Sequence, residues 1–378
     1  MNVYLDNSAT TRVYESACQK IMEVMTEDFG NPSALHTMGL AAEKRLRVAR
    51  KEISKTFGSR EDEVIFTSCG TESDNTAIYG AAHARKHEGR EIITTKVEHP
   101  AVLEVFKKLS SEGFDVKYIG VDKQCNIDMQ ELKEAVTDNT TLISVMTVNN
   151  ETGTIMPIRE IKDICKNATL HTDAVQAMGK IDISATGADM ISVSGHKIHG
   201  PKGIGALYVK KGTKLPPFVI GGGQESGMRS GTENMPGICG FAEAAKICRE
   251  NFDQRTSQMK KVRKYLLDGI CDTIEDVVIN SPVDGCPSVL NVSFLGTRGE
   301  VILHTLEQDG IMVSTGSACS SGKKGRSHVL TAMGLSDKEI EGAVRFSFSE
   351  FNTIEEMDYV IEKLSAAVKR FRKLGSFR

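Results

Sequence analysis

MISVSGHKIHGPKGIGALYV, residues 190–209, is the stretch on which the architecture turns. Two apolar runs, Met190–Val193 and Ile204–Val209, flank a segment of Ser, His, Gly and Pro with Lys197 near its centre. Short apolar runs bounded by Gly and Pro read as buried strands. Working outward, strand-like runs stand at Glu63–Thr67, Glu91–Thr95 and Thr141–Val148. Helical patterns fill the intervals near Ser73–Lys86, Ala101–Ser110, Met129–Val136 and Pro157–Lys166. This alternation predicts a doubly wound α/β domain, a mainly parallel sheet with helices on both faces. Leu46, Ala49, Ile53 and Phe57, spaced by three, four and four residues, share one face of a helix ending near Gly58.

The alternation breaks at GGGQESGMRSG (221–231), which leads into a long helical pattern from about Pro236 to Gly269. Strand runs follow at Val277–Asn280, Val289–Phe294 and Val344–Phe348, with helices around 299–309, 337–343 and 353–373. These predict a smaller α+β domain packed on the first, with the active site between the two.

Composition narrows the function. Across 378 residues, 47 Lys+Arg stand against 50 Asp+Glu, a formal charge of -3, which argues against a dedicated nucleic-acid binder. No apolar run reaches the ~18 residues of a membrane span, and the opening MNVYLDNSATTRVYES has no signal-peptide pattern, so a cytoplasmic protein is expected. The 9 cysteines include no C-x-x-C pair and are odd in number, against a zinc site or a disulfide framework; no metal is expected. All but Cys319 are expected to be packing residues, with Cys69 an unusual case.

Several residue patterns carry chemistry. Lys197 stands at a strand end, where a lysine of lowered pKa suits Schiff-base chemistry with a carbonyl cofactor. In HTDAVQAMGK (171–180), Asp173 closes a strand run and Gln176 follows three residues later. Asp173 could pair with a protonated pyridine nitrogen or cap a helix; Gln176 could bond the ring hydroxyl. TSCGTESDN (67–75) lies between strand and helix, and its free N–H groups and Thr71 fit phosphate binding. Plain capping is the other reading, because Thr71 and Asp74 have capping-box spacing. His99 follows a strand at the carboxyl end, where such sheets gather ligands. Cys319 lies in STGSACSSGKKGRSHV, a polar, mildly electropositive setting that favours a thiolate. Arg345 in a strand-like run fits a carboxylate, from a substrate or from an internal salt bridge.

Together these segments resemble the NifS/IscS-type cysteine desulfurases of the class V aminotransferase fold, over essentially the whole chain. The resemblance runs in order through YLDNSATT (4–11), GNPSALH (30–36), TSCGTESDN, EHPAVL (98–103), VNNETG (148–153), HTDAVQAMGK, SGHKIHGPKG (194–203), MRSGTEN (228–234), STGSACSS (314–321) and VRFSF (344–348). It implies a pyridoxal 5'-phosphate enzyme of fold type I, with a large domain over 15–255 and a small domain of 1–14 plus 256–378 carrying the Cys319 loop. Lys197 would carry the cofactor covalently, Asp173 would contact its ring nitrogen, and His99 would stack on the ring and move protons. Gly70, Thr71, Ser194 and His196 would hold the phosphate, completed by Thr232 of a partner subunit in a homodimer. Asn150 and Gln176 would contact the ring or substrate, while Arg345, with Asn31, would take the substrate carboxylate.

The implied reaction turns L-cysteine into L-alanine and leaves a persulfide on Cys319 for a protein sulfur acceptor, either a tRNA-thiolation enzyme or an iron–sulfur scaffold. The basic GKKGR (322–326) and the basic C-terminal stretch favour the thiolation acceptor. A selenocysteine lyase or another class V enzyme shares the fold, and a non-catalytic adaptor in a sulfur-transfer complex is a third reading. Cys69 departs from the pattern, standing where the resembled proteins usually have Gly.

Overall fold

The computed structural model of the protein describes residues 1–315, 326–373 and 375; Cys319, Lys323 and Lys324 lie outside the described residues. The chain runs β1 (Val3–Tyr4), α1 (Glu15–Thr26), α2 (Thr37–Phe57), β2 (Val64–Thr67), α3 (Gly70–Ala84), β3 (Glu91–Thr95), α4 (Pro100–Ser111), β4 (Asp115–Ile119), α5 (Met129–Ala135), β5 (Thr140–Ser144) and α6 (Ile158–Ile164). It continues with β6 (Thr169–Asp173), β7 (Met190–Ser194), β8 (Gly205–Val209), α7 (Met235–Glu250), α8 (Phe252–Thr273), β9 (Val277–Ile279) and β10 (Val289–Phe294). The last elements are α9 (Gly299–Gln308), β11 (Ile311–Met312), α10 (His328–Ala332), α11 (Asp337–Glu341), β12 (Ala343–Ser347) and α12 (Ile354–Lys373).

The central sheet has seven strands in the order β2-β8-β7-β6-β5-β3-β4. The pairs from β7 across to β4 are parallel, whereas β8 runs antiparallel between β7 and β2. β7 therefore ends at Ser194, and the chain turns through Lys197 at the carboxyl end of the sheet before β8 returns.

Alternation along the strands sorts the core onto two faces. Ile92, Leu142 and Met190 pack with Ala77, Ile78, Val102 and Phe106 of α3 and α4. Their neighbours Ile93, Ile143 and Ile191 join Leu46, Ala49, Ile53 and Phe57 of α2 in the larger cluster on the other face. That α2 face matches its spacing, and the helix stops at Gly58, whose φ of +62° is the left-handed C-terminal cap that glycine adopts without a Cβ clash. The expected pattern over Pro236–Gly269 is two helices, broken at Asn251 (φ -111°, ψ 23°).

A second core joins Met259, Leu266 and Ile270 of α8, Met357 and Leu364 of α12, and the antiparallel sheet β12-β10-β9. Here residues 3–7 meet β11 and the end of β12. β1 pairs in parallel with β11, and Asn7 N donates to Ser347 O at 3.3 Å. The same segment then crosses to the Lys197 turn, where Thr11 N donates to His196 O at 3.0 Å and Tyr14 N to His199 O at 2.9 Å. Not all the cysteines expected in the core are there: Cys18 on α1 and Cys271 on α8 are exposed, because both fall on solvent faces of amphipathic helices. No described helix is long and apolar enough to cross a membrane. Among the described residues no group of three or more His, Cys, Asp or Glu side chains is placed to hold a metal.

Candidate active site

A cleft of about 270 Å³ opens at the carboxyl ends of the parallel strands. Its walls include Gly70, Thr71, His99, Asn150, Asp173, Gln176, Ser194, His196 and Lys197, nine of the residues singled out from sequence. They arrive from the start of α3, the start of α4, the segment after β5, the end of β6 and the β7–β8 turn, so only the sheet topology brings them together.

The Lys197 amine donates to the carbonyl of Ala9 at 2.9 Å and, more closely, to that of Ser8. Asp173 is 6% exposed, and its Oδ1 accepts from Val175 N at 2.9 Å. Burial pushes its carboxyl up to about 6, with the Val175 N–H and the Lys197 charge opposing the rise. Behind it Asp74 is buried and raised well above the usual carboxylate range, first by burial and then by Asp173. His171, one side-chain pair back along β6, bridges Ser144 (2.8 Å) and Ser192 (2.9 Å).

His99 caps α4 by accepting from Ala101 N at Nδ1, 3.1 Å away, which leaves the ring proton on Nε2. Burial, with Lys197 and His328 nearby, lowers His99 to about 4, so it is a neutral imidazole at pH 7. Burial and the same lysine lower His196 to about 4 as well.

The cleft carries polar atoms that the described residues leave unsatisfied. Ser194 Oγ and Asn150 Oδ1 are buried without a hydrogen-bond partner among them, a costly condition that a polar ligand relieves. Ser194 adjoins Gly70, where an added Cβ would lie 2.7 Å from Val175 Cγ2 and 3.5 Å from Ser194 Cβ. The first N–H groups of the fifteen-residue α3 open here, since its N-cap, Cys69, supplies no side-chain hydrogen bond. An orphaned hydroxyl, a glycine approach and a helix N-terminus fit a phosphate; a buried carboxylate and a lysine at the other end fit a protonated pyridine and a carbonyl. The residues present therefore suit pyridoxal phosphate.

The alternative capping reading of Thr71 and Asp74 does not hold, because α3 starts at Gly70, Thr71 is exposed and Asp74 is buried. Glu72 instead accepts from Ser68 N at 2.9 Å and pairs with Arg229 at 2.8 Å.

Three expected site residues are not on the cleft walls. Arg345 is buried in β12, donating to Asp6 Oδ1 at 2.9 Å and to Asn150 O at 3.0 Å, and so abuts the cleft through Asn150. Asn31 is exposed, its Oδ1 accepting from Ser33 N at 2.9 Å. Thr232 is exposed in the segment that Arg229 pins to Glu72. Cys319 lies outside the described residues, but the chain on either side of it is tied beside the cleft. Ser314 N donates to Arg345 O at 3.1 Å, Ser327 Oγ to Glu151 Oε2 at 2.5 Å, and His328 Nε2 meets Glu98 O at 2.9 Å.

Sequence reasoning did not anticipate Ser8 and Ala9 as partners of Lys197, Asp6 as partner of Arg345, or Lys180 behind Gln176. The i to i+4 spacing of Gln176 and Lys180 is the one local signal among these. A roomier cleft of about 730 Å³ at the opposite strand ends holds Arg85, Lys162, Asp189 and Glu88, already joined in ion pairs.

The sequence profile described as aminotransferase class-V matches residues 3–360. The cysteine desulfurase IscS of Clostridium botulinum (strain Hall) is 43% identical over 380 residues, 99% of this chain and 96% of that protein. A solved NifS-like protein superposes with a TM-score of 0.92 at 39% identity, covering 98% of this chain and all of its own. A structure described as SspA in complex with cysteine superposes with a TM-score of 0.83 at 34% identity over 93% of this chain and 100% of that one.

Proposed function

This chain belongs to the class-V aminotransferase family, and from that membership we infer its reaction: the protein is a cysteine desulfurase that takes sulfur from L-cysteine with the help of pyridoxal phosphate and leaves L-alanine. The observation that carries the site assignment is the convergence of Lys197, Asp173, His99 and Ser194 on one cleft beside the anchored ends of the Cys319 segment. The cysteine seen with the similarly folded SspA points to the same substrate class. The names of the relatives weigh against a selenocysteine lyase, and the intact lysine and carboxylate weigh against a non-catalytic adaptor.

When bound, pyridoxal phosphate supplies an electron sink that stores the pair released at the substrate Cα and weakens the Cβ–S bond. The rest is done by this chain. Lys197 would hold the cofactor through its amine, and its Nζ, when not so engaged, would be the base for the substrate Cα proton. Asp173 would present its carboxylate to the ring nitrogen, and a cationic partner there would draw its raised pKa back down. Gly70, Thr71, Ser194 and His196 would hold the phosphate. His99 holds its proton at Nε2, facing the substrate side as a neutral donor. Arg345 takes the substrate carboxylate by exchanging its Asp6 partner, with Asn31 assisting.

The Cys319 thiolate attacks the substrate sulfur. A new S–S bond forms, the Cβ–S bond breaks, and the electron pair left on carbon is protonated to give alanine, with the persulfide on Cys319. Thr232 reaches a partner subunit's phosphate site in a homodimer. The same reading divides the chain near the start of α8, with 15–255 against 1–14 plus 256–378, and puts the enzyme in the cytoplasm. The persulfide passes to a protein acceptor, a tRNA-thiolation enzyme ahead of an iron–sulfur scaffold given the basic residues after Cys319. Mass spectrometry of the holoenzyme after incubation with cysteine tests this: one added sulfur on the Cys319 peptide is expected, and Cys319→Ala that releases sulfide at the wild-type rate would refute it.

A further inference from the structure

Lys180 is a buried cation without an obvious purpose. The chain after β6 turns tightly, with Met178 N donating to Ala174 O at 2.9 Å, Ile181 N to Ala177 O at 3.0 Å, and Gly179 at φ +70°. The turn brings Lys180 against Gln176, and Lys180 Nζ donates to Gln176 Oε1 at 3.0 Å. Lys180 is 6% exposed, and among the described residues it forms no ion pair with a carboxylate. The charged or titratable groups facing it are Cys286 before β10, Arg255 of α8, Cys248 of α7 and Arg345 of β12. Burial lowers its pKa to about 8, with the two arginines adding to the fall and the two thiols opposing it, so the ammonium form still dominates at pH 7. An unpaired buried charge is costly, and a methionine would fill the same space more cheaply.

What the ammonium does provide is direction. An amide can present either its oxygen or its nitrogen, and only its partners decide which. Gln176 has one partner on each side: Lys180, which can only donate, takes Oε1, and the Ser8 carbonyl, which can only accept, takes Nε2 at 2.9 Å. The amide is thus fixed in one of its two orientations, with the second N–H of Nε2 left over on a residue that lines the cleft.

We infer that Lys180 is a positioning residue: by holding Gln176 Oε1 it makes Gln176 an obligate hydrogen-bond donor to the anionic ring oxygen of the bound cofactor. The inference rests on the pyridoxal phosphate reading above. Without Lys180 only the Ser8 carbonyl still holds the amide, and turning its oxygen toward that anion, where two acceptors repel, costs less than before. Less donation leaves more negative charge on the ring oxygen, which raises the pKa of the protonated nitrogen joining the cofactor to Lys197.

The test is a pH titration of the visible absorbance of the holoenzyme, with pyridoxal phosphate affinity measured on the stripped protein, for Lys180→Met, Gln176→Leu and the double variant. Lys180→Met is expected to raise the titration midpoint by about one pH unit and to weaken cofactor binding about fivefold. Gln176→Leu should do the same, and the double variant should go no further than Gln176→Leu. An unmoved midpoint in Lys180→Met overturns the inference. So does a shift that persists in full on the Gln176→Leu background, which would mean that the charge acts through space. Lys180→Gln, neutral yet still a donor, is expected to keep the wild-type midpoint; a midpoint matching Gln176→Leu overturns the inference even if Lys180→Met does not fold. A wild-type protein that develops no visible band would instead refute the cofactor reading itself.

Discussion

Replacing Glu350 with leucine probes what ties the two cores together. The Glu350 carboxylate meets Arg255 Nε at 2.8 Å and Nη2 at 3.3 Å, His199 Nε2 at 3.3 Å and, closely, the Tyr14 hydroxyl. It therefore joins α8, the turn after Lys197, the chain before α1 and the segment after β12. Arg255 is 5% exposed and spends Nη1 on Gly179 O at 2.8 Å, so it cannot swing into water when its partner goes. Removing one member of such a buried pair costs about 3–5 kcal/mol, and the stranded tyrosine places Glu350→Leu near 4, roughly a thousandfold in the folding equilibrium. A double variant, Glu350→Leu with Arg255→Met, should recover most of the loss, since no buried charge is then left alone.

The pH dependence has a definite sign. Burial alone would raise the Glu350 carboxyl, but the hydrogen bonds and charges of His199 and Arg255 outweigh it and hold it well below the usual carboxylate range. A depressed folded-state pKa contributes stability above the unfolded value, near 4.5, and loses it as pH falls toward the folded value. Urea unfolding followed by circular dichroism should show the gap between wild type and Glu350→Leu steady near neutrality and narrowing below about pH 4.5. A gap under about 1 kcal/mol at pH 7, the range of an exposed pair, or one that fails to narrow in acid, would refute the reasoning.

Further outcomes follow from other residues. Ser194→Ala should have crossed effects, weakening pyridoxal phosphate binding several-fold while leaving the cofactor-free protein as stable or up to ~1 kcal/mol more so, because its hydroxyl is buried without a partner; calorimetric binding and thermal melts of the stripped protein read both. Glu98 is raised to about 8, chiefly by burial, so its contribution is full below the unfolded value near 4.5 and declines as pH rises toward 8; Glu98→Gln should flatten that decline in melts across the window. Gly70→Ala puts a methyl 2.7 Å from Val175 Cγ2, at a cost of about 1–3 kcal/mol together with weaker cofactor binding, and an unchanged pyridoxal phosphate titration would contradict the close approach assigned to Gly70.

What could be read in advance was whatever local spacing encodes. The α2 face, the strands around Lys197 and the grouping of Gly70, Asp173 and Lys197 at strand ends all follow from periodicity and from the rule that parallel sheets bind ligands at their carboxyl edge. The break at Asn251 was hidden because the apolar pattern passes through it without a Gly or Pro signal. The edge strand β4 was not picked out, since DVKYI is mostly half-exposed and weakly apolar. The insertion of β8 between β7 and β2 depends in part on pairing with β2, set by contacts more than a hundred residues apart. Thr71 and Asp74 match a capping box only for a helix that starts after Thr71, whereas α3 starts at Gly70. Arg345 left two readings open, and its partner Asp6, 339 residues away, could not be found by any window along the chain.

The path of residues 3–11 also sets an order of assembly. These residues are made well before the partners that hold them, His196, β11 and Ser347, the last lying 340 residues beyond Asn7. At ~5–20 residues per second, that interval lasts roughly 17–70 s. In the later part of it the Lys197 segment is complete while the Ser8 and Ala9 carbonyls that receive its amine still await the strand that docks them. The cleft is thus completed only once β12 has been made and docks residues 3–11, and on the pyridoxal phosphate reading capture of the cofactor in its final geometry would follow that step.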